Sequence, residues 1–131
     1  MCEQSRRRDG TQYKAVCWVN QESVRQDVLT AIGRICGDDV QQQLQQERQD
    51  SVLWKVLMSR LQDKCDRQWA VVIDNVEQSL RAIGVMDALN DASHSGHIFV
   101  TTKNKAVINE CRDMSVVEVP ITHLFVLIAC K

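Results

Sequence analysis

Three stretches of this 131-residue chain end an apolar run in residues able to do chemistry. "WAVVIDNV" (69–76) passes from β-branched residues into Asp74 and Asn75, "YKAVCWV" (13–19) stops at Asn20, and "HIFVTT" (97–102) is followed by Lys103. In an open parallel sheet, ligands bind at the carboxyl ends of the strands. An acid on one strand end beside a hydroxyl-and-cation group on the next suits a magnesium–phosphate ligand. The carboxylate orders the hydrated metal and the lysine meets phosphate charge. An equal alternative is that Asp74 caps the segment after its strand and Lys103 is solvated. Asp74 and Lys103 are therefore the candidate metal and ligand residues; no catalytic residue is assigned.

Elements that could position them are legible from patterning. "YKAVCWV" reads as a first strand, apolar on both faces after Lys14. Asn20 caps a helix with Val24, Val28, Ile32 and Ile35 at helical spacing, and Gly37 ends it in the manner of a left-handed cap. Asp38 and Asp39 begin a polar connection, and the glutamine-rich stretch 41–49 reads as a solvated helix start or linker. Asp50 or Ser51 caps the next helix, with Val52, Leu53, Val56, Leu57 and Leu61 buried and Lys55, Arg60 and Lys64 in water. "WAVVIDNV" is the second strand. Leu80, Ile83 and Leu89 mark a helical segment interrupted at Gly84, and "SHSG" (93–96) turns into the third strand, 97–102. Asn104 opens a short helix with Val107, Ile108 and Cys111, and "SVVEV" (115–119) is a fourth strand stopped by Pro120. Apolar strands alternating with helices predict an α/β fold, a parallel sheet covered on both faces. Trp18, Trp54 and Trp69 are expected in the core.

Length and composition bound the function. The chain suits one small domain, and 44% hydrophobic with 25% charged residues fits a folded globular protein. A net charge of −1 gives no overall attraction to nucleic acid or membranes; the local run Arg6-Arg7-Arg8 reads as solvated. The six cysteines, at 2, 17, 36, 65, 111 and 130, form no CxxC pair and no zinc spacing with the three histidines. They read as small buried hydrophobes in a reducing compartment. The first twelve residues lack the apolar core of a secretory signal, and "LFVLIAC" (124–130) is too short to span a bilayer. A cytoplasmic location is expected.

Order and wording of these pieces resemble the middle of an NB-ARC domain, the nucleotide-binding switch of plant disease-resistance (NLR-type) proteins. "YKAVCWVNQESVRQDVLTAIGRICG" looks like the strand–helix element after the phosphate loop, "WAVVIDNV" like the Walker B stretch, and "SGHIFVTTKNKAVI" like the family's G-S-x-I-x-V-T-T-R-[ND] segment. The resemblance runs over 13–119, leaving 1–12 as a polar amino-terminal extension and 120–131 as an apolar tail. It implies a P-loop-NTPase-like parallel sheet with flanking helices, ADP or ATP with Mg as cofactors, and a role in defence signalling. It also implies water-mediated magnesium coordination by Asp74. Lys103 stands where the family places an arginine that senses the terminal phosphate, keeping the charge without the bidentate fork.

This chain departs from the family in several places. No G-x-x-x-x-G-K-[ST] loop occurs, since the glycines at 10, 33, 37, 84 and 96 match no part of it. The phosphate-loop strand, which in the family lies between the third and fourth strands, is therefore expected to be missing and the domain incomplete. Asn75 replaces a second acid and cannot act as a base, so ATP hydrolysis is not expected. The tail 124–130 reads either as a helix or as an extra strand that fills the vacant slot.

These features leave three readings: an NB-ARC fragment weak or inactive in nucleotide binding, a ligand-free partner-binding or decoy module, and a receiver-like phosphoacceptor domain. The partner implied is a full-length NLR-type relative or a second copy of the chain. The third reading expects a pair of acids after the first strand, where "WVNQE" offers only Glu22.

Overall fold

A computed structural model describes residues 5–6, 12–86, 88, 96–110, 115–119 and 124–130. The expectations for Cys2, Arg7, Arg8, Leu89, residues 93–95, Cys111 and Pro120 concern residues outside this set. The elements in order are β1 (Ser5–Arg6), β2 (Gln12–Tyr13), β3 (Ala15–Asn20), α1 (Val24–Cys36), α2 (Asp38–Leu44), α3 (Asp50–Cys65), β4 (Trp69–Asp74), β5 (His97–Thr102), a short helix α4 (Lys105–Asn109), β6 (Ser115–Val119) and β7 (Leu124–Cys130). β1 and β2 form a small antiparallel pair, and the other strands make one sheet in the order β3-β4-β5-β7-β6.

Strands β3, β4 and β5 are parallel, with Cys17 beside Val71 and Val71 beside Ile98. The fold is accordingly α/β, a parallel sheet with flanking helices. The tail is a strand, and it lies between β5 and β6, antiparallel to both. β6 therefore runs in the same direction as β3, β4 and β5, and β7 alone is reversed. Of the two readings of residues 124–130, a strand rather than a helix is observed.

Helices cover one face of this sheet. Ala15, Cys17 and Val19 of β3, Trp69, Val71 and Ile73 of β4, and Ile98 and Val100 of β5 share a core with Val28 and Ile32 of α1 and Leu53, Trp54, Leu57 and Leu61 of α3. The alternate residues, Val16, Trp18, Val72 and Phe99, lie outside that core. On that face Ala70 is buried and Val16, Val72 and Phe99 are half-buried, so the described residues show it only partly covered, short of the full coverage on both faces expected from the apolar strands. Trp18 is 58% exposed, whereas Trp54 and Trp69 are fully buried. The expectation that all three tryptophans are core residues thus fails at Trp18, whose strand is at the sheet's edge.

Local signals placed the helices, with four differences at their ends. Asn20 caps a single 3-10 turn (Gln21–Ser23) that precedes α1, accepting the Glu22 N–H at 3.0 Å. Gly37 ends α1 at a positive φ of 98°, with ψ of 165° rather than the left-handed helical value. The chain then turns directly into α2, so 38–44 is a helix and not a polar connection. α3 starts after Gln49 without a side-chain cap; Asp50 instead accepts from Arg25 at 3.0 Å. In α3 the buried stripe includes Trp54 and Met58, while Val52 and Val56 are half-buried. The indole N–H of Trp54 donates to the Ile83 carbonyl at 2.9 Å, which satisfies the one polar atom this large side chain brings into the core.

Gly96 precedes β5 where the backbone meets the Trp69 ring, and a Cβ there would overlap the indole. Trp69 is fully buried and cannot move aside without disturbing the core. Gly96→Ala is expected to destabilise the fold by about 1–3 kcal/mol, as overpacking does. A urea titration of wild type and variant measures this; equal midpoints would contradict the close approach.

Candidate functional site

Parallel register brings the three candidate strand ends together. Asn20 sits beside Asp74, and Ile73 pairs with Val100, so Thr101 comes level with Asp74. Asp74 is the last residue of β4 and Asn75 follows at φ 61°, a left-handed conformation that asparagine tolerates better than most residues. That reversal turns the chain across the end of β5.

Most polar groups of this edge are used within the protein. The Thr101 hydroxyl donates to the Asp74 carboxylate and accepts the Asn75 N–H at 2.8 Å. The Val76 N–H donates to the Thr101 carbonyl at 2.9 Å. Thr102, only 1% exposed, donates to the Val76 carbonyl and accepts the Asn104 N–H at 3.0 Å. Asn104 caps α4 through the Ala106 N–H at 2.9 Å, and its side-chain amide donates to the Glu77 carbonyl at 2.6 Å. The Glu77 N–H in turn donates to Gln21 at 2.7 Å, tying the loop to the end of β3. The loop after β4 is thus held from both neighbouring strands.

Further along, Glu110 accepts from the Ser79 hydroxyl at 2.6 Å and the Leu80 N–H at 3.1 Å. Sequence reading missed this role, and also that of Gln21. Their partners lie thirty and fifty-six residues away, beyond the reach of any local pattern.

The two candidate ligand residues differ in their surroundings. Asp74 is half-buried and engaged by Thr101; Lys103 is exposed, and among the described residues it makes no hydrogen bond or ion pair. No group of three or more histidine, cysteine or acidic side chains that could hold a metal ion occurs among the described residues. Magnesium retains several waters and is usually held by one or two carboxylates together with substrate phosphates. A lone carboxylate already bonded to a threonine, with no described phosphate cradle, does not fit a resident magnesium ion. Glu22 is exposed on the 3-10 turn, and Asp27 of α1 also reaches the end of β3, where its carboxylate accepts the Asn20 N–H at 2.8 Å.

A cavity of about 320 Å³ lies elsewhere, lined by Arg48, Asp50, Ser51, Arg81, Ala82, Gly84 and Met86 at the start of α3. None of the strand-end residues contributes to it. Cys17 and Cys65 are buried and Cys36 is half-buried, in keeping with their reading as small hydrophobes. No helix among the described residues is long and apolar enough to cross a membrane. Comparison with protein-family models, curated proteins and solved structures finds no match to this chain.

Thr101 links the end of β4 to β5 and holds the loop that follows. Thr101→Val removes the donor to Asp74 and the acceptor for Asn75. The expected loss is about 1–3 kcal/mol, the cost of leaving partners unsatisfied, whereas Thr101→Ser retains most of the stability. Chemical denaturation of both variants measures the difference, and equal stability of the valine and serine forms would refute the link.

Proposed function

We propose that this chain is a segment of an NB-ARC-type nucleotide switch of the disease-resistance class, in which nucleotide binding is weak or lost. Its contribution to defence signalling would then come through protein contacts rather than ATP hydrolysis. The scaffold reading is supported by the parallel strands β3, β4, β5 and β6, by the acid ending β4, and by the gap in the parallel order between β5 and β6. Asp74 and Lys103 are the positions that the resemblance assigns to magnesium and the terminal phosphate.

One observation carries the loss of nucleotide: β7 occupies that gap in the opposite direction. A phosphate loop needs a strand that enters the site at its carboxyl end and continues into a helix, so that backbone N–H groups converge on the phosphates. β7 begins at that edge and runs away from it, with Phe125 beside Thr102 and Cys130 beside His97. A phosphate-loop strand from any other part of a longer chain would have to displace it. Lys103 alone then offers charge without a cradle. The family ligand ADP, or ATP, with Mg is expected to bind weakly at most.

Thermal melts with and without excess Mg-ADP test this. A ligand present at about a hundred times its dissociation constant adds roughly 2.7 kcal/mol to the folded state, which raises the midpoint by several degrees in a domain of this size. The expected result is no shift. A shift abolished by Asp74→Ala would overturn the loss of nucleotide and leave the scaffold standing.

The role of β7 is tested separately by ending the chain at Val119. Exposing the unpaired edges of β5 and β6 is expected to abolish the cooperative melt and to induce binding of a hydrophobic dye. A shortened chain with an unchanged melt would show that the slot needs no strand.

A further inference from the structure

We infer that the cavity between the start of α3 and the loop after β4 binds the phosphate monoester of a small hydroxylated compound, a sugar phosphate. Its volume of about 320 Å³ lies at the lower end of the range of small-molecule sites, about 300–1,000 Å³. Arg48, Arg81 and Ala82 in its lining are exposed, so it is reached directly from solvent. None of the strand-end residues lines it, and the inference is therefore independent of the nucleotide reading.

The charge of the cavity comes from two arginines on separate segments. Arg48 precedes α3 and Arg81 follows β4, and neither guanidinium has an ion-pair partner among the described residues. Two like charges lining one cavity repel unless an anion lies between them. A phosphate monoester carries a charge of about −1.5 to −2 at neutral pH and three strong acceptor oxygens, which suits two planar donor forks. The backbone under both arginines is already braced. Arg25 donates to Asp50 at 3.0 Å, to the Gln45 carbonyl at 3.2 Å and to the Glu47 carbonyl, holding the segment around Arg48. The Arg81 N–H donates to the Ser79 hydroxyl at 3.1 Å and its carbonyl accepts the Gly84 N–H at 3.2 Å, while the Trp54 indole holds Ile83. Bracing of this kind lowers the ordering cost of binding.

The rest of the lining sets what the phosphate is attached to. Asp50 also reaches the cavity, with its carboxylate paired to Arg25. A carboxylate has more acceptor sites than one guanidinium N–H uses. It therefore repels a bare phosphate but accepts from a hydroxyl held a few atoms away on the same ligand. Ser51 adds a second hydroxyl-compatible group, and Ala82 and Met86 give the carbon skeleton an apolar wall. No aromatic side chain is among the described lining residues, so a nucleobase would find no stacking partner there. A phosphate at the arginines with hydroxyls toward Asp50 and Ser51 is the ligand this lining matches.

Isothermal titration calorimetry of the full chain, with neither magnesium nor nucleotide present, is the test. The probe is glucose 6-phosphate, with inorganic phosphate, O-phosphoserine and glucose beside it. Glucose 6-phosphate is expected to bind at least about tenfold more tightly than inorganic phosphate or O-phosphoserine, the gain from hydrogen bonds to a charged group, and glucose is expected to give no heat of binding. Arg48→Gln and Arg81→Gln should each weaken glucose 6-phosphate by about tenfold or more, as loss of a charge-assisted bond does. Both variants should melt as the wild type does, because the two side chains are exposed. No binding of glucose 6-phosphate, equal binding of inorganic phosphate or O-phosphoserine, or binding indifferent to either arginine variant would each overturn the inference. None of these results alters the reading of Asp74, because no nucleotide is present.

Discussion

Pairing both edges of β5 is the condition on which the rest of the molecule depends. An interior strand left unpaired on one side presents buried N–H and C=O groups at a cost of about 1–3 kcal/mol each. β4 satisfies one edge of β5 from Ala70 to Ile73, and β7 satisfies the other from Phe125 to Cys130. Because β6 hangs on β7 alone, the far side of the sheet exists only through this strand. The strand is reversed, yet an antiparallel ladder pairs the backbone as well as a parallel one does. Direction therefore matters little for stability and a great deal for what the carboxyl edge of the sheet can hold.

That distinction shapes the candidate site. With β5 fixed on both sides, Thr101 and Thr102 are placed to bind the loop after β4, and they bind it through side-chain and backbone groups together. The two hydroxyls bond Asp74, Asn75 and Val76. The edge is a well-organised piece of polar structure, and Lys103, exposed and without a hydrogen bond or ion pair among the described residues, lies beside it. Positioned polar groups and a binding site can look alike in sequence, and the hydrogen-bond partners are what separate them.

The same arithmetic of covered and uncovered surface applies to the sheet's two faces and its β3 edge. α1 and α3 bury the face of Cys17, Val71 and Ile98, which supplies the core. The opposite face has no counterpart in that core, and Trp18 stands at its margin on the edge strand β3. An apolar strand is thus consistent with either a buried or a one-sided position, because its pattern records which side chains avoid water and not what shields them.

By itself the sequence determined the local elements and their sense: strands at Ala15–Asn20, Trp69–Asp74, His97–Thr102 and Ser115–Val119, and helices around Val28, Leu57 and Val107. These are fixed by side-chain period, β-branching and caps such as Asn104, all of which act within a few residues. It also placed Asp74 and Thr101 at neighbouring strand ends, since parallel strands of similar length end together. What only the tertiary structure decided is non-local. That residues 124–130 form a strand, enter between β5 and β6, and run backwards follows from unsatisfied edges created elsewhere in the chain. The engagement of Thr101 by Asp74, the Glu110 contact with Ser79 and Leu80, and the exposure of Trp18 likewise depend on partners brought close, or left absent, by the packing of the whole sheet.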